Sequence, residues 1–329
     1  MRYPWTQAQW QALHQRHAQQ QLPHAILLAG PAGLGKDEFA LDFAQGLLCD
    51  HPQANGQACQ HCRACHQFVA GTHPDILRVS PEEPGKAIKV DQIRALIEQF
   101  AYASHQGGYR VAIISPAEQM NLNAANSLLK TLEEPPGNSL IMLVSARPAR
   151  LPATILSRCQ RLEFSCPAHP LALEWLKSQQ SIPAGQGEGL LALAHGAPLA
   201  ALAFAEEDIL PQRRQLFDSL LAVASGQPAL TVSAPWLKLA LPTPINWLYS
   251  WISDLIRIKC SARTALINRD LTDGLQKLAQ QVDLSELYLF LDELIAVLRI
   301  QHTALNIQML MEGLLLNWER MTCGQTGKG

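Results

Sequence analysis

Short apolar runs alternate with amphipathic segments through the first half of the chain. The segments between them have helical periodicity, for example Asp91–Ser104 and Asn121–Leu132. This alternation predicts an α/β domain with a mostly parallel five-stranded sheet covered by helices on both faces. The apolar runs that have the length of buried strands are Ala25–Ala29, Ile76–Ser80, Arg110–Ser115, Leu140–Ser145 and Arg161–Phe164.

The second half of the chain has only helical patterns. No convincing strand follows the break at Cys166–Pro170, and Glu206–Pro211 is a second candidate boundary. We therefore predict three domains, namely an α/β domain over 1–165, a small helical domain over 166–207 and an all-α domain over 208–329. The last helix has an apolar stripe that either packs in its own core or contacts a neighbouring subunit. Its residues are Ile307, Leu310, Met311, Leu314, Leu315 and Trp318.

Composition narrows the class of protein. The 329 residues are 48% hydrophobic and carry a net charge of −2, which excludes a disordered chain and argues weakly against an independent DNA binder. No run of about 18 apolar residues is present, so we expect no membrane span. The N-terminus lacks the apolar core of a signal peptide, so we expect the eight cysteines to be metal ligands or buried thiols.

A phosphate-binding loop follows the first predicted strand. Gly30–Lys36 matches Gly-x4-Gly-Lys, in which backbone N–H groups cradle phosphates and the lysine adds positive charge. Asp37 stands where a Ser or Thr would hold Mg²⁺, and Ser115-Pro116 stands where an acidic pair would end the strand. The pattern predicts a subunit that does not hydrolyse ATP, while binding of ATP or ADP stays open. The candidate nucleotide-binding residues are Gly30, Gly33, Gly35 and Lys36.

Four cysteines in one short segment form the strongest chemical signal. Cys59, Cys62 and Cys65 are spaced Cys-x2-Cys-x2-Cys, and Cys49 lies ten residues before them. Four thiolates can close a tetrahedral Zn²⁺ site with no open position, which predicts a structural metal in a module over 49–65. The alternative is a set of reduced buried thiols. Four nearby histidines could also be ligands but are expected to be solvated, namely His51, His61, His66 and His73.

Arg158 precedes the last predicted strand in the segment Ser157-Arg158-Cys159. Spacing alone favours a cation at a helix C-terminus, where it interacts well with the helix dipole. The alternative is an arginine finger that is presented to phosphate on another subunit. A further amphipathic helix ends sharply at the paired prolines of Leu128–Pro136.

These motifs together resemble the delta-prime subunit family of bacterial DNA polymerase III clamp loaders. The resemblance covers essentially the whole chain. It is carried most specifically by the four cysteines, Gly71–Asp75, Leu128–Pro136, Ser157–Cys159 and Asn306–Leu316.

The resemblance implies an AAA+ nucleotide-binding fold, a helical lid and a helical collar. It implies a cytoplasmic heteropentamer with delta and three tau/gamma motor subunits, which opens the sliding clamp and loads it onto primed DNA at the replisome. In that family the Ser-Arg-Cys arginine serves the ATP site of the adjacent motor subunit, so the resemblance assigns this role in trans to Arg158 and overturns the helix-end interpretation. It also carries the zinc site over to Cys49, Cys59, Cys62 and Cys65.

Two other functions compete with this interpretation. An active ATPase of the tau/gamma type is disfavoured by Asp37, Ser115 and Pro116. A zinc-dependent DNA-binding regulator is disfavoured by the nearly neutral charge and by the lack of an obvious recognition helix. The complex that the resemblance implies is part of a DNA-directed DNA polymerase, but we expect neither polymerase nor ATPase activity in this chain itself.

Overall fold

The computed structural model describes residues 3–83, 85–102, 108–182, 185–207, 209–239, 242–260, 266–300 and 306–323. The chain divides into two compact units. The first contains residues 1–172 and 197–200, and the second contains residues 173–196 and 201–329. No single helix among the described residues is long and apolar enough to cross a membrane, and one bent pair, Gly187–Leu193 with Pro198–Glu206, meets the length and composition criteria only together.

A five-stranded, all-parallel sheet forms the centre of the first unit. Its strand order is β2-β3-β4-β1-β5, so the first strand lies between the fourth and the fifth. The strands agree with the predicted runs to within one residue at each end, which confirms the predicted fold class. They are β1 Ala25–Ala29, β2 Ile76–Val79, β3 Arg110–Ile114, β4 Ser139–Ser145 and β5 Gln160–Glu163.

Alternating side chains of the three central strands fill two cores, one on each face of the sheet. On β1, Leu27 belongs to one core, while Ile26 and Leu28 belong to the other. This explains why the central strands are apolar throughout, because a parallel sheet is buried on both faces. Helices from both sides complete the cores: α1 Gln7–Ala18, α2 Lys36–Leu48, α3 Arg63–Val69, α4 Val90–Phe100, α5 Leu122–Glu133 and α6 Ala153–Leu156.

Two predicted helices of the first unit differ from the structure at their ends. The helix predicted over Asp91–Ser104 begins at Val90 and ends at Phe100, and Ser104 lies outside the described residues. The helix predicted over Asn121–Leu132 begins at Leu122, because the side chain of Asn121 caps it by accepting a hydrogen bond from the Ala124 N–H. It ends at Glu133, two residues before the paired prolines.

The described part of the second unit is helical. Its core contains Phe217, Trp236 and Trp251, whose rings meet edge to face, together with Trp318 of the last helix. Of the predicted apolar stripe, Met311, Leu314, Leu315 and Trp318 are buried, whereas Ile307 is exposed. The helices wholly or partly in this unit are α7 His169–Lys177, α8 Gly187–Leu193, α9 Pro198–Glu206, α10 Ile209–Ala224, α11 Pro242–Lys259, α12 Thr272–Gln281, α13 Leu284–Ile300 and α14 Ile307–Cys323.

Candidate functional site

The phosphate loop connects β1 to α2, at the edge of the sheet where the parallel strands end. This is the edge at which open α/β sheets bind ligands. Gly33 and Gly35 have φ angles of +74° and +80°, a backbone conformation that favours glycine. Both are also closely packed, since a Cβ added at Gly33 would lie 2.6 Å from the Ala200 Cβ and one added at Gly35 would lie 2.4 Å from the Tyr3 ring.

Lys36 begins α2 with its side chain turned into the loop. The residue is 5% exposed, and its Nζ donates a hydrogen bond of 2.6 Å to the Pro31 carbonyl. Burial lowers the pKa of the Lys36 ammonium, against an opposing effect of the nearby Asp37, Glu118 and Glu38 carboxylates. The ammonium is thus held within its own loop.

The two positions that depart from the pattern of an active motor contact each other. The Ser115 hydroxyl, after the end of β3, donates a hydrogen bond to the Asp37 carboxylate on the first turn of α2. An active phosphate loop has a hydroxyl on that helix and an acid after that strand. In the present chain the acid, Asp37, is on the helix and the hydroxyl, Ser115, follows the strand, and the two are hydrogen-bonded to each other. Each departure is visible in the sequence, whereas their contact becomes visible only once the sheet order is known.

Two segments of the first unit cover the phosphate loop. The Trp5 Nε1–H donates to the Leu34 carbonyl at 2.9 Å, and the ring of Tyr3 stacks on that of Trp5 with centroids 5.2 Å apart. From the second segment, residues 197–200, the Leu199 N–H donates to the Gly33 carbonyl at 3.1 Å. These contacts, which the sequence pattern does not indicate, pack the loop glycines against other residues of the first unit.

The four predicted cysteine ligands come together in one cluster. Their sulfur atoms all lie within 4.8 Å of one another. Three Sγ–Sγ distances are 3.6, 3.8 and 3.9 Å, for Cys49–Cys65, Cys49–Cys62 and Cys59–Cys65. Four sulfurs bonded to one Zn²⁺ at about 2.3 Å would be about 3.8 Å apart, so the cluster fits a tetrahedral zinc ion.

Backbone groups around the cluster favour thiolates. The N–H groups of Cys59, Cys62 and Cys65 donate to cysteine sulfurs at 3.3–3.4 Å. The N–H of His61 is the main cause of a pKa of about 6 for Cys59, while burial raises the pKa of Cys49 and of Cys65. A metal ion would supply the positive charge that buried thiolates need.

The nearby histidines do not join the metal-ligand cluster found among the described residues. His51, His61 and His66 are exposed, as expected from the sequence. The expectation was wrong for His73, which is 4% exposed and whose Nδ1 accepts a hydrogen bond from the Asp75 N–H. Burial lowers the pKa of this histidine, which is consistent with a neutral ring accepting at Nδ1.

Arg158 lies between α6 and β5, with one third of its side chain exposed. Its Nε donates to Glu133 Oε1 at 2.7 Å, and its Nη2 donates to the same oxygen. Its Nη1 donates to the Thr154 carbonyl at 2.9 Å, and the residue lies just after the C-terminus of α6, where spacing alone placed a cation. The side chain is partly exposed, and its planar guanidinium has the donor geometry that phosphate oxygens accept.

Two family models match this chain. "DNA polymerase III, delta subunit" matches residues 5–168, and "DNA polymerase III, delta subunit, C terminal" matches residues 207–320. The chain is 37% identical to DNA polymerase III subunit delta' of Pseudomonas aeruginosa, covering 96% of this chain and 97% of that protein. It is 30% identical to the same subunit of Escherichia coli, with 96% and 95% covered.

Other similarities concern part of the chain or the fold alone. DNA polymerase III subunit tau of Bacillus subtilis is 35% identical over 146 residues, which are 44% of this chain and 25% of that protein. A crystal structure of a DNA polymerase III gamma subunit-related protein from Thermotoga maritima superimposes with a TM-score of 0.50 at 19% identity. The superposition covers 95% of this chain and 99% of that protein. On its sequence similarity over nearly its full length, the chain belongs to the family of DNA polymerase III delta-prime subunits.

Proposed function

We propose that the chain is a non-hydrolysing subunit of a DNA polymerase III clamp loader that supplies Arg158 in trans to the ATP of a neighbouring motor subunit. The proposed complex is a heteropentamer with delta and tau/gamma subunits, which opens the sliding clamp and loads it onto primed DNA. The proposed domains are the nucleotide-binding-like domain over 1–165, the lid over 166–207 and the collar over 208–329.

The absence of hydrolysis is supported by the geometry of the phosphate loop. ATP hydrolysis needs a bound metal and an ordered water. The Ser115–Asp37 hydrogen bond joins the two residues that stand at the sequence positions where active motors carry the metal-binding hydroxyl and acid. Ser115 is followed by Pro116, which has no side chain able to orient a water molecule. This geometry also disfavours the alternative of an active tau/gamma-type ATPase.

The observation that carries the proposed role in trans is the partly exposed, fully hydrogen-bonded side chain of Arg158. A charged side chain whose three nitrogens all form hydrogen bonds while one third of it faces solvent is ordered, yet accessible to another molecule. An arginine suits phosphate because its planar fork reaches two oxygens and stays charged.

Reconstituted clamp loaders test this role. Arg158→Ala should lower ATP hydrolysis stimulated by clamp and primed DNA, and Arg158→Lys should restore it only partly, because a point charge lacks the fork. Arg161→Ala is the matched control, since Arg161 lies three residues away and pairs with Glu163 at the surface. Full activity of the Arg158→Ala loader, in a complex shown to be intact, contradicts the role in trans.

We further propose that Cys49, Cys59, Cys62 and Cys65 hold one structural Zn²⁺. The donor set and the sulfur distances support this ion, and a site with four protein ligands leaves no open position for chemistry. Bound zinc would offset half of the negative charge of the four thiolates and would hold together the segment between α2 and α3. Metal analysis of protein purified without chelator should give about one zinc per chain.

A further inference from the structure

The ion pair between Arg158 and Glu133 bears directly on how the guanidinium can reach a phosphate. Glu133 is the last residue of α5, and Arg158 follows α6, so the two side chains come from different elements 25 residues apart. The Glu133 side chain is 50% exposed. The pair therefore lies at the surface of the first unit, where another molecule could compete for either partner.

The hydrogen bonds of Arg158 leave few donors for a ligand. A guanidinium has five N–H groups. Glu133 Oε1 accepts from Nε and Nη2, and Nη1 faces the Thr154 carbonyl at 2.9 Å and the Ser157 hydroxyl at 3.3 Å. The Nε–Nη2 edge, which can bind two oxygens side by side, is thus taken by a carboxylate. A phosphate that binds this edge must displace Glu133.

We propose that Glu133 is a positioning residue that holds Arg158 in the free chain and gives it up to the phosphate of the neighbouring subunit's ATP. This inference rests on the proposed role of Arg158 in trans. A carboxylate and a phosphate offer the same kind of oxygen acceptor, so the exchange keeps the guanidinium hydrogen-bonded throughout. An exposed pair is weak enough to be exchanged, whereas a buried one would not be.

If this exchange occurs, Glu133 should affect the affinity for a nucleotide that has a γ-phosphate and leave the affinity for ADP unchanged. The carboxylate competes with the γ-phosphate, so Glu133→Gln should tighten the binding of Mg²⁺–ATPγS to the assembled loader by about two- to fivefold. ADP has no γ-phosphate, and its affinity should stay the same. A general structural defect would instead weaken the binding of both nucleotides. Glu134→Gln is the matched control, because it removes the same charge from the next residue, which makes no contact with Arg158 among those found in the described residues.

The experiment measures ATPγS and ADP dissociation constants for assembled loaders that carry Glu133→Gln, Glu134→Gln, Arg158→Ala or the Glu133→Gln/Arg158→Ala pair. We expect Glu133→Gln to act only when Arg158 is present. An unchanged or weaker ATPγS affinity in Glu133→Gln, while Arg158→Ala weakens binding, overturns the role of Glu133 and leaves that of Arg158 standing. Unchanged ATPγS affinity in Arg158→Ala counts against the proposed function itself.

A second measurement tests the contact in the free chain, without any partner. In ¹⁵N-labelled protein, the Arg158 Nε–H should exchange with water more slowly than in Glu133→Ala, because alanine has no oxygen to accept the hydrogen bond that the carboxylate accepts. Its signal is assigned from its loss in Arg158→Lys. Equal exchange rates in the wild type and in Glu133→Ala would mean that Glu133 does not hold the guanidinium in solution, and would overturn the inference.

Discussion

The phosphate loop and the turn that carries Arg158 hold their cations in different ways. Lys36 is 5% exposed and donates a hydrogen bond to its own loop, in which Gly35 packs against Tyr3 and Leu199. Arg158 is one third exposed, and its partner Glu133 is half exposed. To release Lys36, backbone hydrogen bonds and packing of the phosphate loop must be broken. To release Arg158, only a surface ion pair must be exchanged. The first cation is therefore enclosed by its own loop, whereas the second is partly exposed to solvent.

The largest expected effect is the loss of zinc and of local structure when a ligand of the cysteine module is replaced. This module contacts α1, the helix that follows Tyr3 and Trp5. Trp10 and His14 of α1 bond to the carbonyls of Asn55 and Ala54. Zinc binding is worth about 10–16 kcal/mol in small zinc domains, so Cys62→Ser should drop the zinc content below about half an ion per chain and unprotect amides of the module. Metal analysis and hydrogen exchange measure both, and a full zinc complement in Cys62→Ser would show that the four-sulfur site is not the metal site.

The next largest effect concerns Arg158. Removal of one group that stabilises charge in a transition state typically costs about 10²–10³-fold in rate. Arg158→Ala should therefore slow hydrolysis by about this factor at the single ATP site that it faces. Single-turnover hydrolysis by the assembled loader would show one slow site beside sites of normal rate. A uniform slowing of every site would instead indicate a defect in assembly.

Much of the fold was predictable because buried parallel strands have a simple signature. The run Ala25–Ala29 is apolar throughout and is buried on both faces, so its bounds agree with the prediction residue for residue. The end of the helix predicted over Asp91–Ser104 was missed, because no proline or capping residue marks Phe100 as the last helical position. The four-cysteine cluster was predictable from spacing because its ligands are local in sequence.

The contacts that decide how the candidate site works were not predictable from spacing. The Ser115–Asp37 hydrogen bond joins residues 78 positions apart, and the Arg158–Glu133 pair joins residues 25 apart. Each depends on the strand order, which periodicity does not give. The burial of His73 was also missed, since the residue stands between the exposed Thr72 and the half-buried Pro74, where no apolar pattern indicates a core position. Roles in trans and nucleotide occupancy stay predictions, because they involve atoms of other molecules.

A smaller effect is expected from uncovering the phosphate loop. Tyr3→Ala removes the ring that stacks on Trp5 and lies against Gly35. An aromatic pair contributes about 0.5–1.5 kcal/mol, which a nucleotide must overcome if it displaces the ring from the loop. Without the ring, any ATPγS binding by the isolated chain should therefore tighten by up to about tenfold. Equilibrium dialysis measures the binding. An increase that persists when Lys36 is also replaced by methionine would place the nucleotide somewhere other than this loop.

The smallest expected effect is that of Lys36 on the assembled loader. Lys36→Met keeps most of the aliphatic stem that packs in the loop and removes only the ammonium, whose hydrogen bond goes to the Pro31 carbonyl. If the chain's own loop takes no part in hydrolysis, the rate with clamp and primed DNA should stay within about twofold of the wild type, in contrast to the loss expected for Arg158→Ala. Thermal unfolding of the isolated variant shows whether the fold is kept, which matters because the position is buried. Equal losses in Lys36→Met and Arg158→Ala, with both variants folded and assembled, would erase the difference between the two regions and make the phosphate loop a working nucleotide site.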